Sequence, residues 1–218
     1  MTTALGGSLQ LAAQIMERID RGELTPGTQL SEIPLAEELG CSRNTLREAF
    51  RVLARDGLVD HIPNRGVFVH TFTRDDVNDL YDYRMFIETA VIREAAKRPA
   101  HLEECLTRME YSYLVAVDAA VAGNWRRVGT ANSAFHQALV DIAGVARLSA
   151  DVRKILALAR IGFLSTGGQA ITHGPYVEKN QHLLTLMKAG RFAEAENFLR
   201  EYLEHSRDNL LSLLPNSG

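Results

Sequence analysis

From about Thr73 onward the 218-residue chain carries almost no strand signal, only long helical periodicity broken by isolated turn residues. No other feature constrains the fold so strongly. Amphipathic repeats over 74–98, 101–122, 124–143, 146–165, 175–189 and 191–213 are punctuated by Pro99, Gly123, Gly144, the "TGGQAITHGP" stretch and Gly190. Each such helix must bury one apolar stripe against its neighbours. Long helices joined by short turns do this as an antiparallel bundle.

The first seventy residues have a different texture. Leu11, Ile15 and Ile19 recur at helical spacing between Leu9 and Arg21, and the turn-rich "RGELTPGTQL" follows. "PLAEELG" is a short helix, with Pro34 in its first turn and Gly40 past its end. Ser42 caps the next helix, "SRNTLREAFRVLARDG", which stops at Gly57. "LVDHIP" and "VFVH" around "NRG" read as two short strands. Three helices and a hairpin, in that order, describe a winged helix-turn-helix. The expected fold is mainly α: an N-terminal winged helix-turn-helix with a small β-hairpin over residues 1–72, then an antiparallel all-helical bundle over 73–218.

Net charge is −3, so any nucleic-acid surface must be local. The third helix supplies a candidate. Arg43, Arg47, Arg51 and Arg55 form a slowly drifting stripe opposite Leu46, Ala49, Phe50 and Leu53. Arginines on a helix are most often merely solvated. Here the preceding short helix and the tight "GCS" turn are what present a recognition helix to a major groove. Arg43 and Arg47 lie in its N-terminal part, where base contacts occur. Arg65 and Gly66 sit at the hairpin tip. The planar fork of arginine can grip guanine O6/N7 or a phosphate twice. Ser42 and Thr45 add hydroxyls near the positively polarised helix end. Arg51 and Arg55 are expected at phosphates or in solvent, because the helix climbs away from the groove.

These residues resemble a known family. "GELTPGTQLSEIPLAEELGCSRNTLREAFRVLARDGLV" with "PNRGVFV" is similar to the DNA-binding domain of GntR-family bacterial transcription regulators. The resemblance implies DNA contacts at Ser42, Arg43, Thr45, Arg47, Arg65 and Gly66, with Asn44 in the same turn. It departs at "SEIPLAEEL", where some members carry a DNA-touching arginine and this chain has no basic residue.

The helical phase of the second half turns polar groups inward. Arg84 and Glu88 fall on the face of Val77, Leu80 and Val91. Asn132 and His136 fall at the face of Val128, Phe135 and Leu139. Asn180 lies among Val177, Leu183, Leu184 and Met187, and Tyr202 among Ala195, Leu199 and Leu210. Unsatisfied, each buried polar group costs on the order of 1–3 kcal/mol. Arg84 cannot shed its charge, so it needs Glu88 or the acid group of a ligand. Two readings follow: a self-satisfied internal network, or a ligand cavity whose polar lining orients a small molecule.

"DLYDYRMFIETAVIREAAKR", "NSAFHQALVDIAG" and "LMKAGRFAEAENFLREYL" resemble the all-helical effector-binding (FCD) domain of the FadR-like branch of GntR regulators. Length and six helices match its shorter, VanR-type form. Many members hold a divalent metal with an Asp and a His one turn apart and two later histidines. Those places here are Asn132, His136, Asn180 and Tyr202, a poor ligand set. His136 with Asn132 is what any ion would use. His182, rotated by about 200° from Asn180 on its helix, and His205, on a flank, are out of phase. The expectation is a metal-free effector site of Arg84, Glu88, Asn132, His136, Asn180 and Tyr202.

The resemblance implies a homodimer on a palindromic double-stranded operator, a repressor relieved by a small organic acid or similar metabolite. No nucleophile–base spacing, phosphate loop or metal box suggests an enzyme. The alternatives are a metal-binding or catalytic bundle using Glu88 with His136 as an acid–base pair, carrying an accessory DNA-binding domain, and a bundle serving only assembly. No apolar run is long enough for a membrane, and "MTTALGGSLQ" lacks a basic signal start. Cys41 and Cys105 lack metal or redox spacing, and Cys41 is expected to be buried. A cytoplasmic protein with reduced thiols is expected.

Overall fold

The computed structural model describes residues 2–166 and 169–214, with side chains for 7–166 and 174–214. Helix α1 (Thr2–Asp20) is followed by α2 (Glu32–Glu38) and α3 (Arg43–Arg55). Gly40, at φ +62°, lets the chain reverse after α2, and Ser42 then caps α3 by accepting from the Thr45 amide at 3.1 Å. Leu46, Ala49, Phe50 and Leu53 bury one side of α3, and the arginine stripe stays outside. Strands β1 (Val59–Ile62) and β2 (Gly66–Val69) pair antiparallel, Val59 opposite Val69 and Ile62 opposite Gly66. Residues 27–30 run along β2, with the Leu30 amide donating to the Val67 carbonyl. This is the expected winged helix-turn-helix.

Six helices follow: α4 (Arg74–Glu94), α5 (Pro99–Val121), α6 (Trp125–Asp141), α7 (Ala146–Ser165), α8 (Gln169–Lys188) and α9 (Phe192–Leu213). Thr73 starts α4 with a reciprocal capping box to Asp76. In the bundle α4 packs on α9, α5 on α6 and α8, and α6 on α7 and α8. The apolar interior is continuous from Leu11 to Leu214. Helix α1 lies between α3 and α7, and buried Phe72 and Leu210 both lie close against Gly162. None of the described helices is long and apolar enough to cross a membrane.

Two expectations need correction. Helix α8 was expected to start at 175 after a loop, but it starts at Gln169 and runs through Pro175. The proline removes one rung of the ladder. The turn after it is held by tertiary contacts instead, since Tyr176 stacks on Tyr202 and meets Phe163 edge-on. Gly167 and Gly168 of the expected loop lie outside the described residues. Cys41 is half-buried rather than buried, because it sits in the turn on the rim of the core.

Candidate nucleic-acid interface and interior polar site

The N-terminal turn of α3 presents Ser42, Arg43, Asn44 and Arg47 to solvent, with Thr45 half-buried beside them. The Ser42 and Thr45 hydroxyls are 2.8 Å apart, so part of their hydrogen-bonding capacity is spent on the cap. Arg43 and Arg47 do not point freely outward. Both reach back to Glu32 on α2, Arg43 Nη2 at 3.3 Å and Arg47 Nε at 2.9 and 3.0 Å from the two carboxylate oxygens. Hydrogen bonds from Arg47, then Arg43, hold the Glu32 carboxyl below its ordinary range. Arg51 pairs with Glu48 and Arg55 lies 3.6 Å from Asp56, so the rear of the stripe is locally neutralised.

A groove of about 470 Å3 runs between α3 and the hairpin, lined by Glu32, Arg47, Arg51 and His61 above Phe50 and Val67. Beyond it, Arg65 lies over the Phe68 ring at 5.7 Å and its carbonyl accepts from Gln29 Nε2 at 2.8 Å. Gly66 has φ +108°, and a Cβ there would stand 3.3 Å from Gln29 Nε2. The wing turn therefore depends on that glycine.

In the bundle, the six inward polar residues meet in one hydrogen-bonded chain. Arg84 Nε donates to Glu88 Oε1 at 2.7 Å, and Glu88 Oε2 faces His136 Nδ1 at 2.6 Å. His136 Nε2 is 3.2 Å from the Tyr202 hydroxyl, which lies 3.4 Å from Asn132 Oδ1. Asn180 Nδ2 closes the chain on Asn132 Oδ1 at 2.8 Å. Burial alone would raise the Glu88 carboxyl, but the Arg84 guanidinium and then His136 outweigh it and hold it at about 2. Burial pushes His136 below its usual value, so near neutrality the ring is uncharged with its Nδ1–H on Glu88, and the single Tyr202 hydroxyl proton goes to His136 Nε2 or to Asn132 Oδ1, one at a time. Burial raises the Tyr202 phenol well above its ordinary range.

Arg84 Nη2 and Asn180 Oδ1 are buried without a partner. Beside Arg84 and Asn132 is a void of about 10 Å3, the room of roughly one water. The donor set does not fit a divalent ion. His136 is its one imidazole, its only carboxylate is committed to Arg84, and among the described residues no group of three His, Cys, Asp or Glu could hold a metal. His182 is exposed against Phe198, and His205 is exposed with Nδ1 on the Glu201 carbonyl.

The sequence profile of bacterial regulatory proteins of the gntR family matches residues 8–69, and that of the FCD domain matches residues 79–205. The chain belongs to the GntR family. The Nta operon transcriptional regulator of Aminobacter aminovorans is 25% identical over 87% of each chain. A probable D-xylose utilization operon transcriptional repressor of Paenarthrobacter nicotinovorans is 29% identical over 75% of this chain and 74% of its own. The crystal structure of a GntR transcriptional regulator from Rhodococcus sp. RHA1, solved by structural genomics, superposes with a TM-score of 0.86 at 31% identity, covering 95% of this chain and 99% of that one.

Three features of this GntR-family chain escape sequence reasoning. The Glu32 clamp joins residues 11 and 15 positions apart on different helices, a pairing no local pattern encodes. His61 joins the α3 groove only through the hairpin register. Arg160 is buried on α7, donating to the carbonyls of Asp20 on α1 and Arg126 on α6. Its signal was present: it falls at helical spacing from Val152, Leu156 and Phe163, all of them buried.

Proposed function

We propose that this chain is a homodimeric, cytoplasmic repressor of the FadR-like branch with a VanR-type helical domain. In this reading residues 1–72 bind a palindromic operator, and residues 73–218 bind a small organic acid and carry the dimer contact. The observation that carries it is the pairing of two exposed arginines at the start of α3 with a hairpin whose tip presents Arg65. Two such helices in a dimer occupy successive major grooves. The name of the D-xylose relative supports a repressor. Glu32 keeps Arg43 and Arg47 in place without DNA, and phosphates or guanine edges then compete for the same N–H groups.

The interior network is where an acid fits. Arg84 has an unused Nη2 beside Asn132, and a carboxylate would complete it without metal. The void holds about one water, so a metabolite enters only as the helices around it part. A ligand that favours the parted state shifts operator affinity by its differential binding to the two states.

The experiment is a gel shift on DNA from the chain's own upstream region across a salt series. Arg47→Ala should weaken specific binding by about 1–3 kcal/mol. An unchanged operator preference removes Arg47 from base readout, and no specific binding even at low salt sinks the regulator reading. In a thermal-shift screen of small organic acids, Arg84→Lys keeps a charge opposite Glu88 but lacks the second arm of the guanidinium fork that reaches the void. It should retain DNA binding and lose the acid response. A full acid response in that variant would place the ligand elsewhere.

A further inference from the structure

His70 follows directly on β2, and its amide extends the hairpin by donating to the Leu58 carbonyl at 3.0 Å. Its half-buried ring faces a carboxylate at each nitrogen. Nδ1 stands 3.0 Å from both oxygens of Asp60 on β1, and Nε2 stands 3.2 Å from Asp76 Oδ2 in the first turn of α4. One imidazole thus spans the wing of the DNA-binding half and the first helix of the bundle. A neutral ring carries a single N–H and can serve only one of the two carboxylates. An imidazolium serves both, with a charge-assisted bond on each side.

The groups around the ring are mostly acidic. His70 borders a cleft of about 330 Å3 to which α3 brings Arg55 and Asp56, β1 brings Asp60, and α4 brings Asp76 and Asp79. From α7 come the apolar Ile155 and Leu158, and Lys154 of that helix lies 3.6 Å from Asp56, as Arg55 does. Asp56 is therefore matched by two cations. Among the described residues no lysine or arginine pairs with Asp60, Asp76 or Asp79, and His70 is the basic side chain that faces the first two. Burial alone would raise the Asp76 carboxyl, but hydrogen bonds from the Thr73 hydroxyl and amide, then from His70, outweigh it and hold it below its ordinary range. The two arms are unequal. Asp60 meets Nδ1 with both oxygens. Asp76 Oδ2 already accepts from the Thr73 amide at 2.7 Å and from the Thr73 hydroxyl, so it stays satisfied when the ring leaves. A ring without its second proton keeps its N–H on Asp60, and its bare Nε2 is repelled by the Asp76 carboxylate.

We propose that His70 is a proton-operated latch: its imidazolium ties the wing to the N-terminus of α4, and loss of one proton frees the wing from the bundle while the hairpin stays intact. Helix α4 also carries Arg84 and Glu88, so the latch joins the wing to the helix that anchors the interior network. Its effect on DNA rests on the reading of the wing as a DNA contact. In that reading the ligand-free chain, whose wing is latched, is the operator-binding state, so release weakens operator binding.

His70→Gln keeps a donor for Asp60 and carries no charge, which makes it the released form at any pH. The full chain and this variant are unfolded in urea at about pH 5.5 and about pH 8.5, on either side of the range in which histidines change charge. The latch stabilises while the ring is charged, and that stability is lost as pH rises. The ratio of unfolding constants, variant over wild type, should be at least about threefold larger at the lower pH. In an Asp76→Asn background, which keeps an oxygen for Thr73 but offers the ring no charge, this change should fall by at least about half. A ratio that does not change with pH, or a change that Asp76→Asn leaves as it is, overturns the latch. A second arm titrates DNA from the chain's own upstream region at the same two pH values. Wild type should lose at least about threefold in affinity relative to His70→Gln as pH rises, and His61 beside α3 is common to both chains and cancels. A constant affinity ratio overturns the control of DNA binding by the latch. Absence of specific binding by both chains at both pH values counts against the regulator reading alone, and the urea comparison still decides the latch.

Discussion

Glu88 is one carboxylate serving two partners, Arg84 through Oε1 and His136 through Oε2, with all three side chains buried. Removing its charge leaves the Arg84 guanidinium in the interior without a counter-ion, and that situation costs about 3–5 kcal/mol in other proteins. Glu88→Gln should lose stability on that scale in urea unfolding, although its shape and hydrogen-bonding oxygen are kept. A loss under 1 kcal/mol would mean that Arg84 finds compensation elsewhere. The pH dependence has a definite sign. The folded carboxyl sits at about 2, below its ordinary 4.5, so its contribution is present above pH 4.5 and is lost as pH falls toward 2. The acid limb of the stability curve should be shallower in Glu88→Gln than in the wild type across that window.

At the scale of elements, the approach of α6 to α7 is set by a glycine. A Cβ on Gly129 would overlap Nη1 and Cζ of Arg160 and stand 2.8 Å from Nη2. The guanidinium cannot swing aside cheaply, since it is bonded to the Asp20 and Arg126 carbonyls. Gly129→Ala should therefore cost about 1–3 kcal/mol, against the gain expected for alanine at an ordinary helical position. A melting temperature at or above wild type would show that the helices can separate without penalty. Much of this level was legible in the sequence. Helical phase put Arg84, Glu88, Asn132, His136, Asn180 and Tyr202 on inward faces, and the structure joins them, because a polar residue at an apolar position has few places to go. Gly129 and Arg160 were equally visible as exceptions within their helices, but their meeting depends on how two helices pack, which periodicity does not specify. The start of α8 was hidden for the opposite reason. Local Gly and Pro signals predicted a loop, and contacts of Tyr176 with α7 and α9 override them.

For the whole molecule the question is how the bundle reaches the recognition helix. Helix α3 packs on α1 and α1 packs on α7, so α1 is one body through which the two halves meet, beside the direct contacts of Asp56 with Lys154 and of Phe72 with Gly162. Arg160 secures its end. From α7 it donates to the last carbonyl of α1 at 3.1 Å and to the Arg126 carbonyl of α6 at 3.0 Å, and Thr130 adds a bond to the same α1 carbonyl at 3.2 Å. A cation at a helix C-terminus is also favoured by the helix dipole. Arg160→Met keeps much of the buried volume and removes these donors. The amides of Arg21, Gly22 and Glu23, which close the end of α1 on the carbonyls of Glu17, Ile19 and Arg18, should then exchange with deuterium at least tenfold faster. The amides inside α3 should keep their protection, because α3 packs on α1 and is anchored by its own buried Leu46, Ala49, Phe50 and Leu53, which the substitution leaves in place. Faster exchange in α3 as well would mean that Arg160 supports the fold of the whole N-terminal half. Unchanged exchange at residues 21–23 would mean that the packing of α1 on α7, with the contacts of Asp56 and Phe72, holds the halves together without Arg160, and that the guanidinium has no part in transmitting a change from the bundle to the DNA-binding surface.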